Sequence, residues 1–185
     1  MFDELAAQIM HLLGKKLVVV VAISGFGGSG KSTLADRLRD HFQVADTQVV
    51  RIDNLYSQNP LGPGIFDQSD WPLITRILED VRAGKRLQYR GTDSNGQHVH
   101  IDEALPQVLI FEGVRLLQPD LMSNFDVSVW IDCPQDLAMK RAKARDREQG
   151  NSEETVLQWD THWGPIDRKY FDMYRPDRLA AVVYR

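Results

Sequence analysis

The sequence predicts an α/β fold built on a parallel sheet with helices on both faces. Five short runs rich in Val, Ile and Leu read as strands, and the first of them, Leu17 to Ile23, is apolar without interruption, the mark of a strand buried on both sides. The segments between them repeat their apolar residues at helical spacing. A glycine-rich stretch also stands at the junction of the first such strand and the helix after it. At 185 residues the chain has the length of one domain. It shows no linker, internal repeat or low-complexity tract, so residues 1–185 are read as a single domain.

Phe2, Leu5, Ile9, Leu12 and Leu13 share one helical face and stop at Gly14, which predicts an opening amphipathic helix. Leu17 to Ile23 is the first buried strand. Lys31 to His41 places Leu34, Ala35 and Leu38 on one side of a helix, and Gln48 to Ile52 is a second strand. Loop signals fill Asn54 to Gly64. A cap at Ser69 or Asp70, with Pro72 in the first turn, starts a helix carrying Ile74, Ile77, Leu78 and Val81 and ending near Gly84.

The polar stretch Leu87 to Ile101, with Asn95-Gly96 at its centre, predicts a hairpin. Val108 to Phe111 and Val127 to Ile131 are two more buried strands, with a short Pro-interrupted helical piece between them. Asp136 to Gln149 is a charged helix. Ser152 to Tyr174 is helical with a break or kink at Gly164-Pro165, and Ala180 to Tyr184 closes the sheet.

Composition narrows the function. Lys plus Arg number 22 against 26 Asp plus Glu, a net charge of -4, and a protein that coats nucleic acid usually carries a basic excess. No apolar run approaches the ~20 residues that span a bilayer. The acidic opening Phe2-Asp3-Glu4 lacks the basic start of a secretory signal. The single cysteine, Cys133, pairs with nothing internal and reads as a small buried hydrophobe. A soluble, cytoplasmic protein with no nucleic-acid or membrane partner is expected. The oligomeric state stays open, a homodimer included.

The stretch Gly25-Phe26-Gly27-Gly28-Ser29-Gly30-Lys31-Ser32-Thr33 satisfies G-x-x-x-x-G-K-[ST], the P-loop. Its glycines let successive N–H groups converge on phosphate oxygens, and the following helix adds its positive end. Lys31 is placed to neutralise phosphate charge and the Ser32 hydroxyl to hold Mg²⁺. Asp53 follows the second strand, at the end of a parallel sheet where ligands bind, and can take a proton from an acceptor hydroxyl. Glu112 ends the strand Val108 to Phe111 and suits Mg²⁺ or its water. Lys140, Arg141, Lys143, Arg145 and Arg147 make the helix around 136–152 a candidate lid over a transferring phosphoryl group. His98 and His100 read as hairpin residues. Trp71, Trp130, Trp159 and Trp163 read as packing residues.

In this order the elements resemble the uridine kinase and phosphoribulokinase family of P-loop kinases, from about Leu17 to the end. The resemblance rests on the P-loop, on Asp53 with Tyr56 three residues later, and on Ile65-Phe66-Asp67-Gln68-Ser69-Asp70-Trp71. It rests also on Phe111-Glu112-Gly113, on Ile131-Asp132 followed by Arg141 and Arg145-Asp146, and on Pro176 to Val183. It implies a three-layer P-loop NTPase fold whose five-stranded sheet has the order 2-3-1-4-5, with a small hairpin and a lid helix. It also implies ATP and Mg²⁺ as cofactors and phosphorylation of a small-molecule hydroxyl. By the same likeness Asp53 is the base, Tyr56 and Asp67 face the acceptor, and Arg90 lies in the stretch that reads it. Three departures bear on the acceptor: Thr92 stands where the family has Tyr, no Arg-Gly-Arg follows the lid, and Ala181 replaces an Asp.

The expected activity is therefore an ATP-dependent kinase acting on a nucleoside or sugar-like acceptor, with Lys31, Arg141 and Arg145 supporting transfer. Pantothenate or another polyol is the alternative acceptor. A nucleotide-hydrolysing switch and a non-catalytic ATP-binding protein are the alternative functions.

Overall fold

A computed structural model describes residues 1–43, 46–93 and 96–185; Asn95 of the expected hairpin turn lies outside the described residues. The chain opens with α1 (Phe2–Leu13), β1 (Val19–Ser24), α2 (Lys31–His41), β2 (Thr47–Arg51) and α3 (Trp71–Arg82). The hairpin β3 (Leu87–Thr92) and β4 (His98–Glu103) follows, then β5 (Val108–Glu112) and β6 (Val127–Ile131). The last third is helical, with α4 (Gln135–Glu148), α5 (Glu153–Gln158), α6 (Gly164–Tyr174) and α7 (Pro176–Leu179), before β7 (Val182–Tyr184).

Five strands form one parallel sheet in the order β2-β5-β1-β6-β7. With the hairpin strands left out of the count, that order reads 2-3-1-4-5. β1 is central and fully buried, pairing Val21 with Ile110 on one side and with Val127 on the other. Its side chains divide between two cores. Val19, Val21 and Ile23 pack with α1 and α2 through Leu5, Ile9, Leu34 and Leu38, whereas Val20 packs with Leu73, Ile74, Ile77, Leu78 and Val81 of α3. That two-sided burial is why the strand reads as continuously apolar.

Ends differ from expectation for local reasons. Leu17 is 73% exposed and outside β1, because the neighbouring β5 begins only at Val108. β2 ends at Arg51, and Ile52–Asn54 turn into a short 3-10 segment closed by Leu55 N–H on the Ile52 carbonyl. The last strand starts at Val182 rather than Ala180; Ala181 N–H donates to Ser128 Oγ instead. Asp70, not Ser69, caps α3 by accepting from Leu73 N–H at 3.0 Å.

The expected break at Gly164-Pro165 is replaced by a π turn, Trp159–Trp163. Its wider hydrogen-bond ring lets Pro165 fall in the first turn of α6, where a missing N–H costs little. Gly164 is required by close approach, since a Cβ there would lie 2.5 Å from the Trp159 carbonyl oxygen.

Asp126 ties three segments together. It accepts from Lys16 Nζ at 2.6 Å, Val20 N–H at 2.8 Å and Arg82 Nη1 at 2.9 Å. Burial alone would push its carboxyl up, but these donors outweigh it and hold the group below the usual carboxylate range. The hairpin docks on the turn after β2: Tyr56 N–H donates to the Thr92 carbonyl at 2.8 Å, and a Cβ on Gly91 would lie 2.5 Å from the Asn54 carbonyl oxygen. Among the described residues, no helix is long and apolar enough to cross a membrane.

Candidate functional site

The sequence between β1 and α2 forms a cradle with one open side. Gly28 (φ 83°) and Gly30 (φ 104°) take the positive-φ backbone that glycine alone enters freely. A Cβ on Gly30 would meet nothing within 4 Å, whereas one on Gly28 would strike the Ala138 carbonyl oxygen and lie 2.9 Å from Ala142 N. One flank of the loop is therefore walled by α4, and the other faces the cleft. Phe26 anchors the loop in the core, 5.4 Å from both the Trp130 and the Phe171 rings. Gly27 lies under Trp159, whose ring would be 2.5 Å from a Cβ there.

Lys31 is buried, and its Nζ donates to the Phe26 carbonyl at 3.0 Å. The Ser32 hydroxyl donates to Glu112 Oε2 at 3.1 Å. Burial pushes the Glu112 carboxyl above its ordinary range; the Lys31 ammonium pulls against this, and the negative charge of Asp53 adds to the rise.

Gly30 leaves open space on the cleft side of the loop, where Gly27, Gly28, Lys31, Ser32 and Thr33 also line the cleft. One hydroxyl and one carboxylate, both hard oxygen donors, suit Mg²⁺, which takes few protein ligands and completes its shell with phosphate and water. The residues present therefore fit a nucleotide phosphate chain and Mg²⁺.

These residues open into a cleft of about 1180 Å³ that also receives Asp53, Tyr56, Arg141 and Arg145. Asp53 is exposed on its 3-10 turn, within electrostatic reach of Glu112 and Tyr56. Burial, with Asp53 adding to it, pushes the Tyr56 phenol up to about 12, so it stays a neutral hydrogen-bonding group. Arg141 and Arg145 stand one turn apart on α4. By contrast, Lys143 pairs with Asp160 at 2.5 Å and Arg147 with Glu153 at 2.8 Å, outside the cleft lining.

Two expected acceptor residues are not in the cleft. Asp67 turns its carboxylate onto its own loop, accepting from Gly64 N–H at 2.8 Å and filling the space beside Gly62. Arg90 is exposed on β3, because Leu87 and Tyr89 take the inward positions of that alternating strand.

Several lining residues were not expected. Trp159 and Trp163, read from the sequence as packing residues, line the cleft with ring centroids 4.9 Å apart, and Trp159 Nε1 donates to Asp146 Oδ2 at 2.7 Å. Gln68, Arg115 and Asp167 join them. Gln68 lies in a segment read for its neighbour Asp67, and Arg115 and Asp167 belong to no local motif.

Fold and cradle together define a P-loop nucleotide-binding protein. The chain belongs to the AAA domain family, whose model matches residues 21–158. It is 28% identical over 160 residues to the uridine kinase of Bacillus cereus (strain AH187), covering 78% of this chain and 75% of that one. Two solved structures share its fold. One is a candidate fructose transport system kinase from Silicibacter sp. TM1040, with TM-score 0.81, 21% identity and coverage of 100% and 99%. The other is a candidate uridine kinase from Bacillus stearothermophilus, with TM-score 0.70, 20% identity and coverage of 98% and 100%. The relatives set the chain among P-loop proteins of the kinase type.

Proposed function

We propose that the protein is an ATP-dependent, cytoplasmic kinase that moves the γ-phosphoryl group to a hydroxyl of a small neutral acceptor, a nucleoside or a sugar-like polyol. One observation carries the reading: Asp53 shares a single cleft with the P-loop, with Lys31 and with the Ser32–Glu112 pair. A hydrolysing switch needs only the phosphate cradle. A carboxylate on the opposite wall, beside Tyr56, is what an acceptor hydroxyl requires.

In this reading the P-loop amides and Lys31 bind the phosphates. Lys31 leaves the Phe26 carbonyl to do so. Asp53 Oδ orients the acceptor hydroxyl and takes its proton as the oxygen bonds to phosphorus, while Arg141 and Arg145 balance the charge that gathers on the leaving phosphate oxygens. Ser32 and Glu112 would hold Mg²⁺, which would supply neutralisation of phosphate charge. Trp159 and Trp163 offer flat apolar faces to a sugar or base and help exclude water.

The names of the relatives support both acceptor classes, nucleoside and sugar. Product formation from Mg·ATP across a panel of nucleosides, sugars and polyols is the first measurement. Asp53→Asn then lowers turnover by about 10²- to 10⁴-fold, the usual worth of a general base, with Mg·ATP binding retained. Near-normal turnover in Asp53→Asn would remove Asp53 from its role.

A further inference from the structure

One hydrogen-bonded chain crosses from the phosphate cradle to the opposite wall of the cleft. The N–H of Gly27 donates to Asp167 Oδ2 at 3.2 Å. Asp167 Oδ1 accepts from Arg115 Nε at 3.1 Å and Nη2 at 2.7 Å. Arg115 Nη1 donates to Gln68 Oε1 at 3.0 Å, and Gln68 Nε2 donates to the Tyr56 hydroxyl at 3.0 Å. Tyr56 in turn lies in the field of Asp53. Four separate segments are thereby linked, two of them carrying the expected chemistry.

The central pair is costly as a mere stabiliser. Its side chains are 3% and 6% exposed, and taking two charges out of water often costs as much as their attraction returns. Arg115 also holds a left-handed backbone (φ 61°), a conformation that residues with a Cβ seldom adopt. Strain of this kind persists where the surroundings fix a side chain in one direction. Here that direction lets a single planar guanidinium bridge Asp167 and Gln68 at once, which a lysine ammonium cannot do with the same geometry.

We infer that Arg115 and Asp167 are positioning residues that hold the acceptor wall in register with the P-loop. Asp167 fixes the Gly27 amide, and so the set of the loop beneath the phosphates; Arg115 carries that reference through Gln68 to Tyr56 and Asp53. Neither touches the transferred group. The acceptor end of this inference rests on the kinase reading, and its nucleotide end does not.

The double variant Arg115→Met/Asp167→Leu replaces the pair with apolar side chains of similar volume, which should leave the fold about as stable as the parent. Asp167→Leu alone strands a buried guanidinium and should melt lower. Four quantities are measured: Tm, the Kd of Mg·AMPPNP by titration calorimetry, and kcat and KM with uridine and D-fructose as acceptor probes. In the double variant, Tm returns toward the parent while Mg·AMPPNP binds on the order of tenfold more weakly, the scale of one lost charge-assisted hydrogen bond. With a productive probe, acceptor KM rises and kcat falls. Arg115→Lys keeps the charges balanced but loses the planar fork; it shifts Kd in the same direction and serves if the double variant does not fold. Recovery of parental Kd along with parental Tm would overturn the inference and leave the pair purely structural. If the parent phosphorylates neither probe, the kinase reading is what suffers, and the nucleotide Kd still decides the role of the pair.

Discussion

Gly28→Ala tests whether α4 is a wall or a moving lid. Two costs act at this position. An L-residue at φ 83° carries about 1–2 kcal/mol of backbone strain. In addition, the new methyl would strike the Ala138 carbonyl and stand 2.9 Å from Ala142 N, backbone atoms that yield only if the helix itself moves, an overpacking cost of about 1–3 kcal/mol. Gly30→Ala is the control, because φ there is 104° but no atom lies within 4 Å of the added Cβ. The difference between the variants is therefore the packing cost alone. For a domain of this size each kcal/mol moves Tm by about 2–4 °C, so Gly28→Ala should melt roughly 2–12 °C below Gly30→Ala. Thermal unfolding of the nucleotide-free protein reads this directly. Equal melting temperatures would mean that α4 does not bear on Gly28 and swings freely as a lid, which would refute the wall.

Two further outcomes follow from buried carboxylates. Burial raises the Glu112 pKa, so ionised Glu112 is penalised in the fold, and the free protein loses stability as pH rises through the folded-state value. Glu112→Gln should therefore melt at or above the parent near pH 7, with a flatter dependence of Tm on pH, while turnover falls and Mg²⁺ with ATP stabilises the variant less than the parent. A parent-like response to Mg²⁺ would sink the assignment of Glu112 as a metal-facing group. Asp126 is the opposite case, held below its ordinary pKa, so its contribution is present above the unfolded value near 3.9 and disappears as pH falls through the folded one. Asp126→Asn should cost about 1.5–3 kcal/mol at neutral pH, from charge-assisted bonds to a side chain only 4% exposed, and the gap from the parent should close in acid-unfolding curves. A gap that stays as wide in acid as at neutral pH would contradict this.

What could be read from the chain, and what could not, divides along the range of the interactions involved. β1 and the P-loop were legible because each is a contiguous pattern: an apolar run followed by glycines, Lys31 and Ser32. Asp53 and Glu112 were legible by position, since residues at the carboxyl ends of parallel strands face the ligand crevice. Asp167 and Arg115 are 52 residues apart and meet only after α6 packs back on the sheet; neither belongs to a local motif. Asp67 and Arg90, which the resemblance placed at the acceptor, lie outside the cleft lining. In one case a glycine-rich loop claims the carboxylate. In the other, the strict alternation of β3 spends its inward positions on Leu87 and Tyr89. The basic cluster of α4 is likewise mixed: position on the helix sends Arg141 and Arg145 to the cleft and Lys143 and Arg147 to ion pairs on the other side.

The π turn at Trp159–Trp163 makes this site depend on a count as well as on chemistry. An α-helix rotates about 100° per residue, so a turn that holds an extra residue resets the phase of everything after it. Asp167 and Tyr170 reach the interior of the molecule on the phase that this turn creates. Deleting one residue between Trp159 and Trp163, with every glycine and carboxylate of the cleft kept, would rotate α6 by about a quarter turn and carry the Asp167 carboxylate off the loop. The spacing from α4 to Asp167 is thus as much a part of this site as the residues themselves.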